Sequence, residues 1–263
     1  WAINQANGLP GADTINFSIL PAGPYTIVPA GQLPALTDMQ GVVIDGITQP
    51  GGADCGSNPP STATLLIEID GVGAGLAHGL LIQSNNNHIK GLVINNFEAD
   101  GIRIEGLSFA NHNLIECCFV GTDLGGVADK GNGRATPTLW AGIKIQNQPG
   151  GVADSNTVAG CLVSGNWADG VAIQGPLDPG DVGYNQVVAN YIGTDIGGGK
   201  NLGNDHEGVE MSEGTHHNIV ADNLISGNSW DGVGMQGYDN APYQAPPIYT
   251  DSNTVTGNMI GVA

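Results

Sequence analysis

The chain has 263 residues, with 43 glycines, 15 prolines, 25 Asp plus Glu, six Lys plus Arg and a formal net charge of −19. Its apolar runs are too short for a membrane-spanning helix, its glycines follow no every-third period, and 40% of its residues are hydrophobic; this excludes a transmembrane helix, a collagen and a disordered chain. Four lysines and two arginines cannot build the basic stripe that nucleic acid needs, and the acid excess repels anionic membranes and any polyanion that no cation bridges. Few stretches show helical periodicity, so an all-β, turn-rich chain remains. The charge itself reads first as solubility in an exposed, salty setting.

In chain order, WAINQAN at 1–7 reads as the tail of a helix, followed by short strands near Thr14–Ile19, Tyr25–Val28 and Val42–Asp45. The Pro/Gly-rich stretch 49–61 is a loop that carries Cys55. Residues 1–61 are expected to form an N-terminal cap with the first coil or coils, the helix covering an otherwise sticky sheet edge. No signal peptide is visible, and the last residues, Gly261, Val262 and Ala263, stop in mid-pattern, so a trimmed piece of a longer protein is expected.

From 62 to 263 the chain repeats itself. NHIKGLVINNFEADGIRIEG (87–106), NTVAGCLVSGNWADGVAIQG (156–175) and NIVADNLISGNSWDGVGMQG (218–237) are versions of one unit, and NLIECCFVGTDLGG from 113 and NQVVANYIGTDIGG from 185 are a variant. Phased on Gly79, Gly101, Gly142, Gly170, Gly208 and Gly232, the spacings are 22, 41, 28, 38 and 24. A coil of about 22 residues with insertions fits, and each coil holds strands of two or three alternating apolar positions. Such strands run in successive directions within a coil, so they pair in parallel with the next coil. This predicts an all-β, single-stranded parallel β-helix, one structural domain with its cap. The general crossover preference makes it right-handed. Loops 121–141 and 193–207 emerge on one side, and 147–155, 175–184 and 237–252 at another turn.

Two columns follow from the phasing. Asn87, Asn113, Asn156, Asn185, Asn218 and Asn253 occupy one repeat position; Leu92, Cys118, Cys161, Asn190, Asn223 and Asn258 occupy another. Stacked asparagines satisfy turn backbone and one another, and Asn tolerates the left-handed conformation of tight bends. Cys118 and Cys161 then stack in adjacent coils, as a disulfide or as two buried thiols, while Cys117 points the other way and is able to pair with Cys55. The four cysteines have no zinc-site spacing.

These repeats, with the N-x-V…GN…DGV pattern and the loop Tyr191–Asp195 and Leu202–Asn204, resemble those of secreted bacterial right-handed parallel β-helix proteins of the pectate-lyase-like fold. The N-terminal stretch through Phe17 resembles their capping entry. The resemblance covers essentially the whole chain and implies the fold and an extracellular or cell-surface location. It leaves function open among adhesins, surface-anchored repeats, polysaccharide lyases and hydrolases.

Chemistry is expected on one outward sheet face. Its first column is Leu81, Arg103, Lys144, Ala172, Glu210, Gly234, and the next is Gln83, Glu105, Gln146, Gln174, Ser212, Gln236. Before the phasing glycine stand His78, Asp100, Ala141, Asp169, Glu207 and Asp231. Stacked carboxylates lie roughly 5 Å apart by strand spacing, a separation suited to a glycosidase pair. Asp169, Glu207, Glu210 and Asp231 are therefore the candidate catalytic acids, and Arg103, Lys144, Gln146, Gln174 and Gln236 the candidate substrate-binding residues. Against this, the acid column shares the parity of inward positions, and Asp before Gly is an ordinary turn former. A site built from His206, Glu207 and Glu210 is a further possibility. The Asp-Asp, Gly-His-Gly and Arg-x-Lys motifs of polygalacturonases are absent. Oxygen ligands on the Gly-rich loops, Asp195 and Asp205 first, suit calcium, although no EF-hand or nonapeptide spacing is present.

The sequence reading is an extracellular module of a larger secreted or surface protein, structural, adhesive or carbohydrate-binding, its partner a polysaccharide or cell-surface glycan. The alternatives are a polysaccharide-degrading hydrolase or lyase and a subunit that self-associates end to end.

Overall fold

The computed structural model describes residues 1–55, 60–135, 140–175, 181–237 and 249–261. Its strands are two to seven residues long and assemble into three sheets, parallel throughout. The first runs Asp13–Asn16, Val42–Asp45, His88–Lys90, Leu114–Glu116, Thr157–Ala159, Gln186–Val188, Ile219–Ala221, Thr254–Thr256. The second runs Tyr25–Ile27, Ile67–Asp70, Leu92–Asn95, Phe119–Val120, Leu162–Val163, Tyr191–Ile192, Leu224–Ile225, Met259–Ile260. The third runs Leu80–Ile82, Ile102–Gly106, Ala141–Asn147, Asp169–Gln174, Val209–Ser212, Val233–Gln236. The inner coils each contribute one strand to each sheet in turn, which is a parallel β-helix. Among the described residues no helix is long and apolar enough to cross a membrane.

Register explains the core. Ile89, Ile115, Val158, Val187 and Val220 pair in one file of the first sheet. Ile82, Ile104, Ile145, Ile173 and Met211 form the matching file of the third. All are buried, and they belong to one continuous cluster. A single coil buries none of these side chains; stacking does, at about 2 kcal/mol for each fully buried aliphatic. The phasing glycines have a packing reason: a Cβ on Gly142 would lie 2.5 Å from Asn166 Nδ2 and 2.8 Å from Gly170 O.

The turns are held by asparagine ladders. The side-chain oxygen of Asn113 accepts both the backbone and side-chain N–H of Asn87, and the same double bond repeats through Asn156, Asn185, Asn218 and Asn253. Asn190, Asn223 and Asn258 form the second ladder. A third, Asn132, Asn166, Asn204 and Asn228, has no counterpart in the sequence expectations. The expectation that the ladder asparagines take the left-handed conformation is corrected. The positive φ belongs to the residue before each one: Asn86, His112, Ser155, Tyr184, His217 and Ser252. The ladder residue itself has to keep its amide aimed along the axis.

Stacking begins within residues 1–61. Asp13–Asn16 pairs with Val42–Asp45, Tyr25–Ile27 pairs with Ile67–Ile69, and Leu36 bridges to Ile82. The helix Ala2–Ala6 buries Ala6, Ile3 packs on the core, and Asn7 ties its end to Ala35 O and Thr37 N. Cys55 and Cys117 form a disulfide across 62 residues, with their Cα atoms 5.9 Å apart. Cys118 and Cys161 are free and buried, so of the two expectations for them the disulfide is not formed; both sulfurs point into the core, where the Cys118 amide donates to Cys161 Sγ at 3.4 Å. In the two GTD loops, Asp123 Oδ1 accepts Val127 N and Ala128 N, and Asp195 Oδ1 accepts Gly199 N and Lys200 N. The loops also touch each other, Ile196 N donating to Gly126 O at 2.8 Å. Parts of the expected loops 49–61, 121–141, 175–184 and 237–252 lie outside the described residues.

Candidate functional site

Strand alternation turns Ile102, Ile104, Ile143, Ile145, Val171 and Ile173 inward, so the residues between them face out from the third sheet. Register places Leu81, Arg103, Lys144, Ala172, Glu210 and Gly234 side by side, as the sequence columns require. Glu105, Gln146, Gln174, Ser212 and Gln236 form the next file. The glutamines do not simply ladder. Gln83 and Gln148 donate to the two oxygens of Glu105 at 2.8 and 2.7 Å, and Gln236 donates to Glu207 Oε1 at 3.1 Å. Gln146 and Gln174 stay partly exposed on the face.

The acid column does two things at once. Asp100 Oδ1 accepts the amide of Ala141 at 2.6 Å, and Asp169 Oδ1 accepts the amide of Glu207 at 3.2 Å, each bond joining one coil to the next. That is the turn-forming role. Parity does not hold Asp100 inward, however, because the bend lets its second oxygen reach the outward-facing Arg103. Asp100 Oδ2 takes Arg103 Nη1 at 2.9 Å and lies 3.2 Å from His78 Nδ1. Arg103 also reaches Glu105 at 3.2 Å.

The two halves of the face differ in charge. At the Arg103 end, burial acts to raise the Glu105 carboxyl, but hydrogen bonds from Gln148 and Gln83 and the Arg103 guanidinium outweigh it and hold it below the ordinary range. At the other end Asp169, Glu207 and Glu210 converge. Asp169 and Glu207 are buried, and Glu210 is partly so. Burial, the Glu210 charge and the contact with Glu207 push the Asp169 carboxyl up to about 8. Burial and Glu207 raise Glu210 as well, with Lys144 opposing. Lys144 is only 6% exposed. Its burial lowers the ammonium pKa against the pull of Asp100, and Arg103 lowers it further. The ligand atoms of Asp169, His206 and Glu207 all lie within 4.8 Å of one another, which also makes them a possible cation donor set.

Sequence columns thus place Asp169, Glu207 and Glu210 in one group with Lys144 beside them. Asp231 is exposed one coil further on, its carbonyl accepting Gly208 N. Asp195 is occupied in closing its own loop and Asp205 is exposed; among the described residues neither belongs to a group of ligand atoms close enough to hold an ion. Three tryptophans were missed. Trp140, Trp167 and Trp230 all sit on the turn that enters the third sheet, one or two residues before the acid column. The signal was available, since three of the chain's four tryptophans fall just before the acid column, Trp140 and Trp230 by one residue and Trp167 by two.

Other charged groups act as clasps. Glu68 accepts from Thr26, Asn95 and Lys130. Lys90 bridges Asp54 and Glu116, and His216 bonds Asp181.

No protein-family model matches the chain, and no curated protein does. Among solved structures it is similar to the A-module of the mannuronan C-5 epimerase AlgE4 of Azotobacter vinelandii, at 14% identity and a TM-score of 0.45, covering 98% of this chain and 82% of that one. It is also similar to the periplasmic alginate epimerase AlgG, at 12% identity and a TM-score of 0.40, covering 84% of this chain and 58% of that one.

Proposed function

We propose that this chain is a secreted polysaccharide-acting β-helix protein whose third-sheet face performs acid–base chemistry on a glycan, glycosidic hydrolysis in the first instance. The observation that carries the reading is the convergence of Asp169, Glu207 and Glu210 from two adjacent coils, with Asp169 holding its proton up to about pH 8. A protonated carboxyl beside ionised ones supplies a general acid and a carboxylate base or nucleophile in one place. Asp169 is the proton donor of this reading, and Glu210 is the partly exposed carboxylate whose charge, with burial and the contact to Glu207, keeps the proton on Asp169. Lys144 and Arg103 balance the face and hold sugar oxygens with Gln146 and Gln174. The Cys55–Cys117 disulfide supports an oxidising, extracytoplasmic location.

Release of reducing ends from a panel of polysaccharides, followed together with absorbance at the wavelength of unsaturated products, tests this. Turnover that disappears in Glu210→Gln supports it; unsaturated products would replace hydrolysis with elimination; no turnover on any glycan would overturn the catalytic role. A second reading has its own observation. Asp100 and Asp169 accept main-chain amides of the next coil as the asparagines do, the arrangement a rigid adhesive or carbohydrate-binding module would use.

A further inference from the structure

The aromatic rings beside the face have no part in the acid–base scheme. Trp167 and Trp230 are 44% and 62% exposed, on turns at the border of the face. Both are pinned by backbone: Trp167 N donates to Asn132 O at 2.9 Å, and Trp230 N donates to His206 O at 3.2 Å. His206 stacks on Trp230 with ring centroids 4.3 Å apart and an interplanar angle of 16°. The same imidazole lies within 4.8 Å of the Asp169 and Glu207 oxygens, so Trp230 adjoins the carboxylates through one ring. At the opposite end of the face Trp140 meets His78 edge-on at 5.7 Å, and His78 contacts Asp100. Arg134 lies 5.5 Å over the Trp167 ring between these two ends.

The rings therefore lie on successive copies of one turn, along one border of the outward files, with Trp167 one repeat position ahead of Trp230 because Ala168 is the residue that aligns with His206 and Trp230. Trp167 and Trp230 enter strands two coils apart, roughly 9–10 Å by strand spacing, about two pyranose residues of an extended chain. The partly exposed amides Gln146 and Gln174 line the face itself. Flat indole faces suit the apolar CH faces of sugars, and neutral amides suit their hydroxyls. A net charge of −19 and the clustered carboxylates disfavour polyuronates. We infer that the face takes a linear, uncharged polysaccharide lying along the helix axis, with Trp167 and Trp230 as stacking platforms for sugars two residues apart. The inference rests on reading the third-sheet face as the site, and it names the substrate class and the orientation of the chain.

The test is binding of soluble β-glucan, xylan and mannan, with polygalacturonate and chitosan as charged controls, read by affinity electrophoresis and tryptophan fluorescence. The variants are Trp167→Ala, Trp230→Ala, Trp1→Phe and Glu210→Gln, each checked for an unchanged thermal midpoint. The expected result is binding to an uncharged chain, weakened about tenfold by either platform substitution and unchanged by Trp1→Phe. Binding to an uncharged chain that survives both platform substitutions but fails in Glu210→Gln would overturn the platforms and keep the face. Binding only to polygalacturonate or only to chitosan would overturn the uncharged substrate. Binding to none of the five would overturn both the inference and the reading beneath it.

Discussion

Two polar stacks run the length of this molecule by the same register, with opposite electrostatic outcomes. In the asparagine ladders each amide donates to one coil and accepts from another, so repetition satisfies every member: Asn185 accepts two bonds from Asn156 and donates to Asn218 and to Ala153 O. In the acid column the repeated group, when ionised, only accepts. Asp100 is paired with the Arg103 guanidinium, whereas Asp169 meets Glu207 and Glu210 and keeps its proton instead. A repeat that is neutral and bifunctional builds structure; a repeat that carries charge accumulates a deficit, which another cation, a proton or a substrate has to relieve.

The comparison is broken most severely at the carboxylates. Glu210→Gln should cut glycan turnover by on the order of 10²–10⁴-fold while leaving the thermal midpoint near its original value, as measured by reducing-end release. In the ladder, Asn185→Ala strips partners from buried groups of both neighbouring coils and should cost about 2–4 kcal/mol in urea unfolding. Asp169→Asn sharpens the contrast. The raised carboxyl keeps a proton in the folded state that the unfolded chain loses near pH 4, so its contribution is complete below that pH and is lost as pH rises through about 8. The asparagine variant should flatten this fall and gain on the order of 1–3 kcal/mol over the parent at pH 9, read from urea midpoints at pH 5 and pH 9. Activity of the parent should decline above about pH 8 for the same reason, and removing the Glu210 charge should move the Asp169 titration to lower pH. The smallest effect belongs to the loop clasp. Asp195→Ala loses two backbone amide partners at a partly buried site and should cost about 1 kcal/mol.

How legible the site was depends on the kind of contact. Because in-register parallel stacking converts sequence period directly into spatial neighbours, the file from Arg103 to Lys144 to Glu210 was readable, and so was the asparagine ladder from Asn87 to Asn253. What the period cannot express is rotation at a bend. Parity points the acid column inward, but the bend brings Asp100 to the outward Arg103, and the left-handed residue is the one before each ladder asparagine. A loop carboxylate and a clasp carboxylate share one sequence signature, so the two amide bonds that Asp195 accepts within its own loop were not readable from the sequence.

The sequence by itself determined that the chain coils, where each coil begins, which aliphatic residues stack inside and which files face out, since all of these follow from a repeat and a two-residue alternation. Only the tertiary structure decided what each polar group is worth. It set Asp100 against an arginine and Asp169 against two glutamates, brought His206 between Trp230 and the acids, and joined Cys55 to Cys117 across 62 residues. Those outcomes depend on distance, burial and the direction of a side chain at a bend, none of which a repeat period carries.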